Sequence, residues 1–206
     1  MKKILIALGF TLAAMSAQSA TLSLAESGPV VFTTVAGTNS ATGAHDVVVG
    51  ALGGTFGQLS ALNDTIFAVT FLGKEANRTN FFVSNGTSVV GSANNVATVG
   101  QTFFFDVAAG VIDFGFKGPV VTALNTDIDN QRIAYITNDG SYIDANTGNA
   151  YSFLIGFNDG DEIDGDYDDY VVGVSAVPVP AALPLMASAL GAFGIARRRN
   201  KAKAAK

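Results

Sequence analysis

The chain has no cysteine, no tryptophan and a single histidine, and charged residues make up only 14% of its 206 positions. Each shortage removes chemistry. Without cysteine there is no disulfide, no zinc thiolate and no thiol nucleophile, so the fold rests on packing, with any further help coming from a bound metal. The lone histidine, His45, stands beside Asp46 and leaves no second imidazole for a histidine metal site. No nucleophile elbow surrounds a serine, no glycine loop opens a helix to cradle phosphate, and no dinucleotide fingerprint occurs. His45 therefore reads as a surface-loop residue rather than a general base. Carboxylates on separate strands cannot be placed at glycosidase spacing from sequence alone. The expectation is a protein that is not an enzyme.

What is abundant is glycine (23), phenylalanine (15) and apolar residues overall (49%). That composition, together with frequent Asn, Thr, Ser and Val, suits many short strands joined by turns. The length allows one domain once the terminal segments are set aside.

Charge is segregated along the chain. Lys2 and Lys3 open it, and six basic residues lie between Arg197 and Lys206. The intervening residues 21–176 hold four basic and seventeen acidic side chains, a net −13. Such a body repels nucleic acid and anionic lipid and attracts divalent cations. No nucleic-acid partner is expected.

The N-terminus has the three parts of a secretory signal peptide: Lys2-Lys3, an apolar stretch from Ile4 to Ala14, and small residues up to Ala20. Cleavage is expected after Ala20, with cleavage after Ser19, which puts Ala17 and Ser19 at the small-residue positions, as the alternative; residues 1–20 are then the signal and the Sec machinery its export route. At the other end, residues 182–196 are apolar throughout. Fifteen helical residues span about 22 Å against a hydrocarbon core of ~30 Å, short for a stable crossing. Lys2-Lys3 and Arg197, Arg198 and Arg199 should both stay cytoplasmic under the positive-inside rule, leaving the body as a translocated loop.

Between the ends, the pattern predicts strands at Val30–Val35, Asp46–Val49, Thr65–Phe71, Asn80–Ser84, Thr87–Val90, Gln101–Val107 and Val111–Phe116. Pro119–Leu124 reads as a weaker or edge strand, followed by Arg132–Thr137, Ser141–Asp144, Ala150–Phe157 and Tyr170–Val174. Asn85-Gly86 is a tight hairpin signal, and Asn138-Asp139-Gly140 a second turn. Phe103-Phe104-Phe105 predicts a strand covered on both faces. About ten short strands with no convincing amphipathic helix predict an all-β, antiparallel β-sandwich, jelly-roll-like, between a signal peptide and a short C-terminal transmembrane sorting helix.

The densest local chemistry runs from Asn158 to Tyr170, with seven acids between Asp159 and Asp169. Carboxylates separated by glycine are the hard oxygen ligands that Ca²⁺ prefers. Asp159, Asp161, Asp164, Asp166, Asp168 and Asp169 are the candidate metal ligands, although the EF-hand spacing fails from Asp159, which puts Ile163 at the fifth position, and from Asp164, which puts Asp169 where glycine is required. The alternative is a solvated acidic loop entering the last strand, with Tyr167 and Tyr170 on opposite faces and the acids near the rim. Leu72–Asn80 is a polar insertion that reads as a hairpin connection. Asn77-Arg78-Thr79 and Asn85-Gly86-Thr87 match a glycosylation pattern common by chance and carry no role.

Val177-Pro178-Val179-Pro180-Ala181, the apolar segment and Arg197-Arg198-Arg199, in that order and spacing, resemble the VPLPA-CTERM branch of the PEP-CTERM sorting signals. Val179 stands where leucine is usual, which leaves the exosortase subtype open. The body also resembles secreted proteins that carry such signals, through Gly73-Lys74-Glu75-Ala76, Asn80-Phe81, the Phe-rich strand and Asp166-Tyr167-Asp168-Asp169. The resemblance implies a Gram-negative bacterium with an exopolysaccharide system and an exosortase that removes or exchanges the tail.

The chain thus divides into a signal peptide (1–20), a β-sandwich body (21–176) and a sorting signal (177–206). The expected protein is an exported, non-enzymatic surface or matrix component with Ca²⁺ as its one candidate ion. It is expected to be held first at the inner membrane and then delivered to the cell surface or the extracellular matrix. A carbohydrate-binding module of the exopolysaccharide, using aromatics such as Tyr142 or Tyr151, is the alternative.

Overall fold

The computed structural model describes residues 21–32, 53–74, 79–84, 87–91, 99–138, 143, 148–160, 163 and 165–177, with the backbone alone for 87–91. Among them are twelve strands and no helix. The larger sheet contains β1 (Leu22–Pro29), β2 (Thr55–Ala61), β3 (Thr65–Gly73), β6 (Thr102–Val107), β7 (Gly110–Val111), β10 (Ile133–Thr137), β11 (Phe153–Phe157) and β12 (Tyr170–Val177). Its order is β1-β2-β10-β11-β12-β3-β6, with β7 paired to β2. The smaller sheet, β5-β4-β8-β9, contains β4 (Phe81–Ser84), β5 (Thr87–Gly91), β8 (Phe114–Lys117) and β9 (Thr122–Leu124). All strand pairings are antiparallel.

Alternation along the strands puts one apolar row from each sheet into a shared core. Phe67, Val69 and Phe71 of β3 join Tyr170, Val172 and Val174 of β12 and Ile133, Tyr135 and Ile155 of the neighbouring strands. Phe82, Phe114, Phe116 and Ala123 meet them from the smaller sheet. Aromatic rings bridge the layers. Phe116 stacks on Phe157 at 5.2 Å and lies edge-on to Tyr170 at 5.8 Å; Phe67 meets Phe114 at 5.6 Å, and Phe82 meets Phe105 at 5.8 Å. Such contacts add roughly 0.5–1.5 kcal/mol each beyond the area buried. The expected all-β, antiparallel architecture is present, with the described strands divided eight to four between two sheets.

The outer face of the larger sheet is also covered at its centre. Leu72, Ile136, Leu154 and Val171 lie under Tyr151 and Phe32, while Tyr167 covers Ala134 and Val30 beside Phe56. This is why β11 is buried at every position. Gly173 makes room for the cover: a Cβ there would lie 2.5 Å from the Tyr151 ring.

Several expectations need correction. The first described strand is Leu22–Pro29; of the expected Val30–Val35 strand, Val30, Val31 and Phe32 are described and lie outside any strand, and residues 33–35 lie outside the described residues. Thr55–Ala61 is a strand where none was expected. Val111–Phe116 is two strands in different sheets, separated at Ile112 and Asp113. Leu72–Asn80 is not a hairpin connection, because β3 and β4 belong to different sheets and the chain crosses between layers there. Phe103-Phe104-Phe105 is not covered on both faces: β6 is an edge strand, and Phe104 is 65% exposed. The Asn85-Gly86 hairpin holds, since Ser84 pairs with Thr87 across it. Pro119–Leu124 yields the edge strand β9. Asp46–Val49 lies outside the described residues, as does Ser141–Asp144 except for Ile143.

One polar side chain completes the larger sheet. β2 meets β10 through Thr55 at one end and β7 through Ser60 and Ala61 at the other, so its edge is open between them. Asn125, fully buried, fills that gap. Its Oδ1 accepts the Leu59 N–H at 2.7 Å and the Tyr135 hydroxyl at 2.7 Å; its Nδ2 donates to Leu59 O at 2.8 Å and Ile112 O at 2.7 Å. All four hydrogen-bonding positions of the amide are used.

Candidate functional site

The acidic turn forms where β11 ends and β12 begins, and the requirements of buried backbone groups explain its geometry. Asn158, fully buried, donates its N–H to Arg132 O at 3.0 Å and accepts the Gly160 N–H at Oδ1, 3.1 Å. Asp159 follows at 2% exposure. Its N–H donates to Asp169 Oδ2 at 2.8 Å, and its own Oδ2 accepts from Asn80 Nδ2 at 2.6 Å. Asn80, fully buried just before β4, also donates to Asp169 O at 3.2 Å. A triangle of Asn80, Asp159 and Asp169 thus ties the two sheets together. Gly118 permits it, because a Cβ there would lie 3.1 Å from both Asn80 Oδ1 and Asp159 Cβ.

Around the triangle, Arg132 Nη1 donates to Gly160 O at 2.6 Å and the Tyr167 hydroxyl to Gln131 O at 2.7 Å. Asp168 makes an isolated parallel bridge with Phe157 and donates its N–H to Asp166 Oδ1 at 3.4 Å. Its side chain is buried, 6% exposed, and Oδ1 has no hydrogen-bond partner among the described residues.

Tyr167 and Tyr170 do take opposite faces: Tyr167 joins the outer cover, and Tyr170 joins the core shared by the sheets. The expectation that the acids stay near the rim fails for Asp159 and Asp168, both buried. Their carboxylates are consumed in, or enclosed by, the turn's own construction. Burial pushes the Tyr170 phenol well above its usual range, opposed by a hydrogen bond with the Phe82 backbone, and burial alone does the same to Tyr135.

Of the six candidate metal ligands, Asp159, Asp166, Asp168 and Asp169 are described, and Asp161 and Asp164 lie outside. Among the described residues no three His, Asp or Glu side chains gather closely enough to hold a metal ion. Val177, the first residue of the expected sorting motif, closes β12, its O accepting from Thr65 Oγ1 at 2.9 Å. Pro178, Val179, Pro180, Ala181, Arg197, Arg198 and Arg199 lie outside the described residues, with His45 and Tyr142. Tyr151 is buried against Gly173 and is not the exposed aromatic expected for a glycan platform. No helix among the described residues is long and apolar enough to cross a membrane, and residues 182–196 are not among them.

Sequence reasoning missed Asn125, and it named Asn80 as a strand start and part of a resemblance without its role in the acidic turn. Each stands alone in a polar or turn-rich stretch, and only the strand order reveals the gap it fills. No protein-family model matches the chain, and no curated protein is significantly similar to it.

Proposed function

We propose that the protein is an exported, non-enzymatic surface or matrix component. Its jelly-roll-like sandwich is cargo, and its C-terminus is an exosortase sorting signal of the VPLPA-CTERM type. The observation that supports this reading is the extent of the folded body. Thr21 O accepts the Leu62 N–H at 3.0 Å, and Val177 pairs with Ile66. The sheet therefore fills the interval between the expected signal cleavage and the sorting motif. Intact mass of the mature protein from its native host tests the proposal. Loss of residues 1–20 and of the basic tail is expected, and a mature protein that keeps both ends would overturn it.

Cation dependence belongs to the same reading and rests on Asp168, whose buried Oδ1 is the kind of oxygen that Ca²⁺ neutralises. Asp168 would be a ligand, with further oxygens from the acidic turn. Ca²⁺ at a hundredfold excess over its Kd would stabilise the fold by about 2.7 kcal/mol. A higher melting temperature in Ca²⁺ than in EGTA is expected, with the difference lost in Asp168→Asn. Identical melting in both buffers removes the cation from the proposal.

A further inference from the structure

The edges of the two sheets are not equally protected. β1 carries a bulge between Glu26 and Gly28 and ends at Pro29, and β9 is only three residues long. Such devices discourage edge pairing. β6 has neither proline nor lysine, and its register with β3 runs unbroken from Thr65↔Val107 to Thr70↔Thr102. Its outward row is Thr102, Phe104 and Asp106, and Phe104 is the second most exposed large apolar side chain among the described residues.

Hydrogen-bond parity identifies the free backbone groups. The Phe71 N–H donates to Gln101 O at 3.0 Å, and the Gly100 N–H to Phe71 O at 2.8 Å, so odd-numbered β3 residues bond toward β6. Their partners Phe103, Phe105 and Val107 therefore bond back to β3. By alternation, the N–H and C=O groups of Thr102, Phe104 and Asp106 face the edge of the sheet that no strand among the described residues covers.

That edge is self-complementary. We propose that β6 pairs antiparallel with β6 of a second copy of this chain, about a two-fold axis at Phe104. In this register Phe104 lies opposite Phe104 of the second copy, and Phe103 opposite its Phe105. Thr102 lies opposite its Asp106, and the Thr102 hydroxyl, which accepts from Thr70 Oγ1 at 2.8 Å in this arrangement, is left to donate to that carboxylate. The two Asp106 side chains stand four residues apart along the pair, roughly 13 Å, beyond the Debye length at physiological salt. The three outward-facing residues of each strand form reciprocal hydrogen-bonded pairs, and the interface is isologous, so it closes as a dimer rather than a fibre. The pairing requires neither a cation nor tail processing and goes beyond the proposed function.

Because the chain has no cysteine, single substitutions report the register directly. A hydrogen-bonded antiparallel pair places its Cα atoms ~5.5 Å apart, within disulfide range. Mild oxidation of the full-length Phe104→Cys protein is expected to give a covalent dimer. Thr102→Cys is expected to give none, and Thr102→Cys combined with Asp106→Cys to restore cross-linking. In sedimentation experiments, Thr102→Asp should weaken the dimer roughly tenfold by placing two pairs of like charges opposite each other, and Thr102→Lys should tighten it. Phe104 is 65% exposed, so its replacement leaves the core intact; Thr102 shares a hydrogen bond with the buried Thr70 hydroxyl, so the melting temperature of each Thr102 variant is measured alongside. A protein monomeric at every concentration, or equal cross-linking by Thr102→Cys and Phe104→Cys, overturns the proposal.

Discussion

At the scale of single residues, the most consequential side chain is one that touches no ligand. Asn125 joins Leu59, Ile112 and Tyr135 through four hydrogen bonds in a fully buried setting. Replacing it by leucine strands the Leu59 N–H, Ile112 O and the Tyr135 hydroxyl together, at roughly 1–3 kcal/mol each. Asn125→Leu should therefore lower the unfolding free energy by about 4 kcal/mol or more in a denaturant titration. Tyr135→Phe removes a single hydroxyl and should cost nearer 1 kcal/mol. The two buried tyrosines also set an alkaline limit. Burial raises the phenol pKa of Tyr135 and Tyr170 in the folded protein, so below about pH 10 both states are protonated and nothing is lost. Above that, only the unfolded chain releases these protons, and stability falls by about 1.4 kcal/mol per pH unit per tyrosine. Chemical denaturation between pH 9 and 11 measures the slope, and Tyr135→Phe should remove about half of it.

At the scale of elements, Gly173 and Tyr151 show a dependence that pairing alone does not convey. The ring lies where a Cβ at position 173 would sit, so the cover of the outer face depends on a missing side chain in β12. Gly173→Ala should displace Tyr151 and cost about 1–3 kcal/mol by overpacking, read as a lower melting temperature and faster exchange of the Leu154 and Val171 amides. The same scale shows what sequence can and cannot reveal. Apolar runs such as Thr65–Phe71 and Arg132–Thr137 announce their strands, and Asn85-Gly86 announces its turn. Thr55–Ala61 does not, because Gly57 and Gln58 interrupt the pattern; Gly57 is required by the close approach of Ala25 O across the strand pair. Phe103-Phe104-Phe105 misleads in the opposite direction, since three phenylalanines look the same in a central strand and at an edge. The acidic turn is conspicuous in the sequence. Its enclosure of Asp159 and Asp168 depends on Asn80, seventy-nine residues from Asp159, and no local pattern reports that distance.

At the scale of the whole molecule, the chain's last described strand lies in the middle of its larger sheet. β12 sits between β11 and β3, and β3 alone links it onward to β6. Tyr170, Val172 and Val174 from this strand are fully buried in the core shared by both sheets. Without β12, the sheet divides into β1-β2-β10-β11 and β3-β6, and the aromatic contact of Tyr170 with Phe116 is lost. Folding therefore cannot finish until the chain is available through Val177, a long-range closure that favours slow, late folding. If the body is exported as proposed, this delay would keep it unfolded during passage and let it fold only when nearly all of it had crossed. A chain ended after Val177 should melt cooperatively with the midpoint of the full-length protein. One ended after Asp169 should show no cooperative transition, because losing β12 removes several fully buried side chains at about 1.5–3 kcal/mol each, against a total stability of only about 5–15 kcal/mol. A folded protein ending at Asp169 would show that the sheet closes without its central strand, and the coupling of folding to complete export would fail with it.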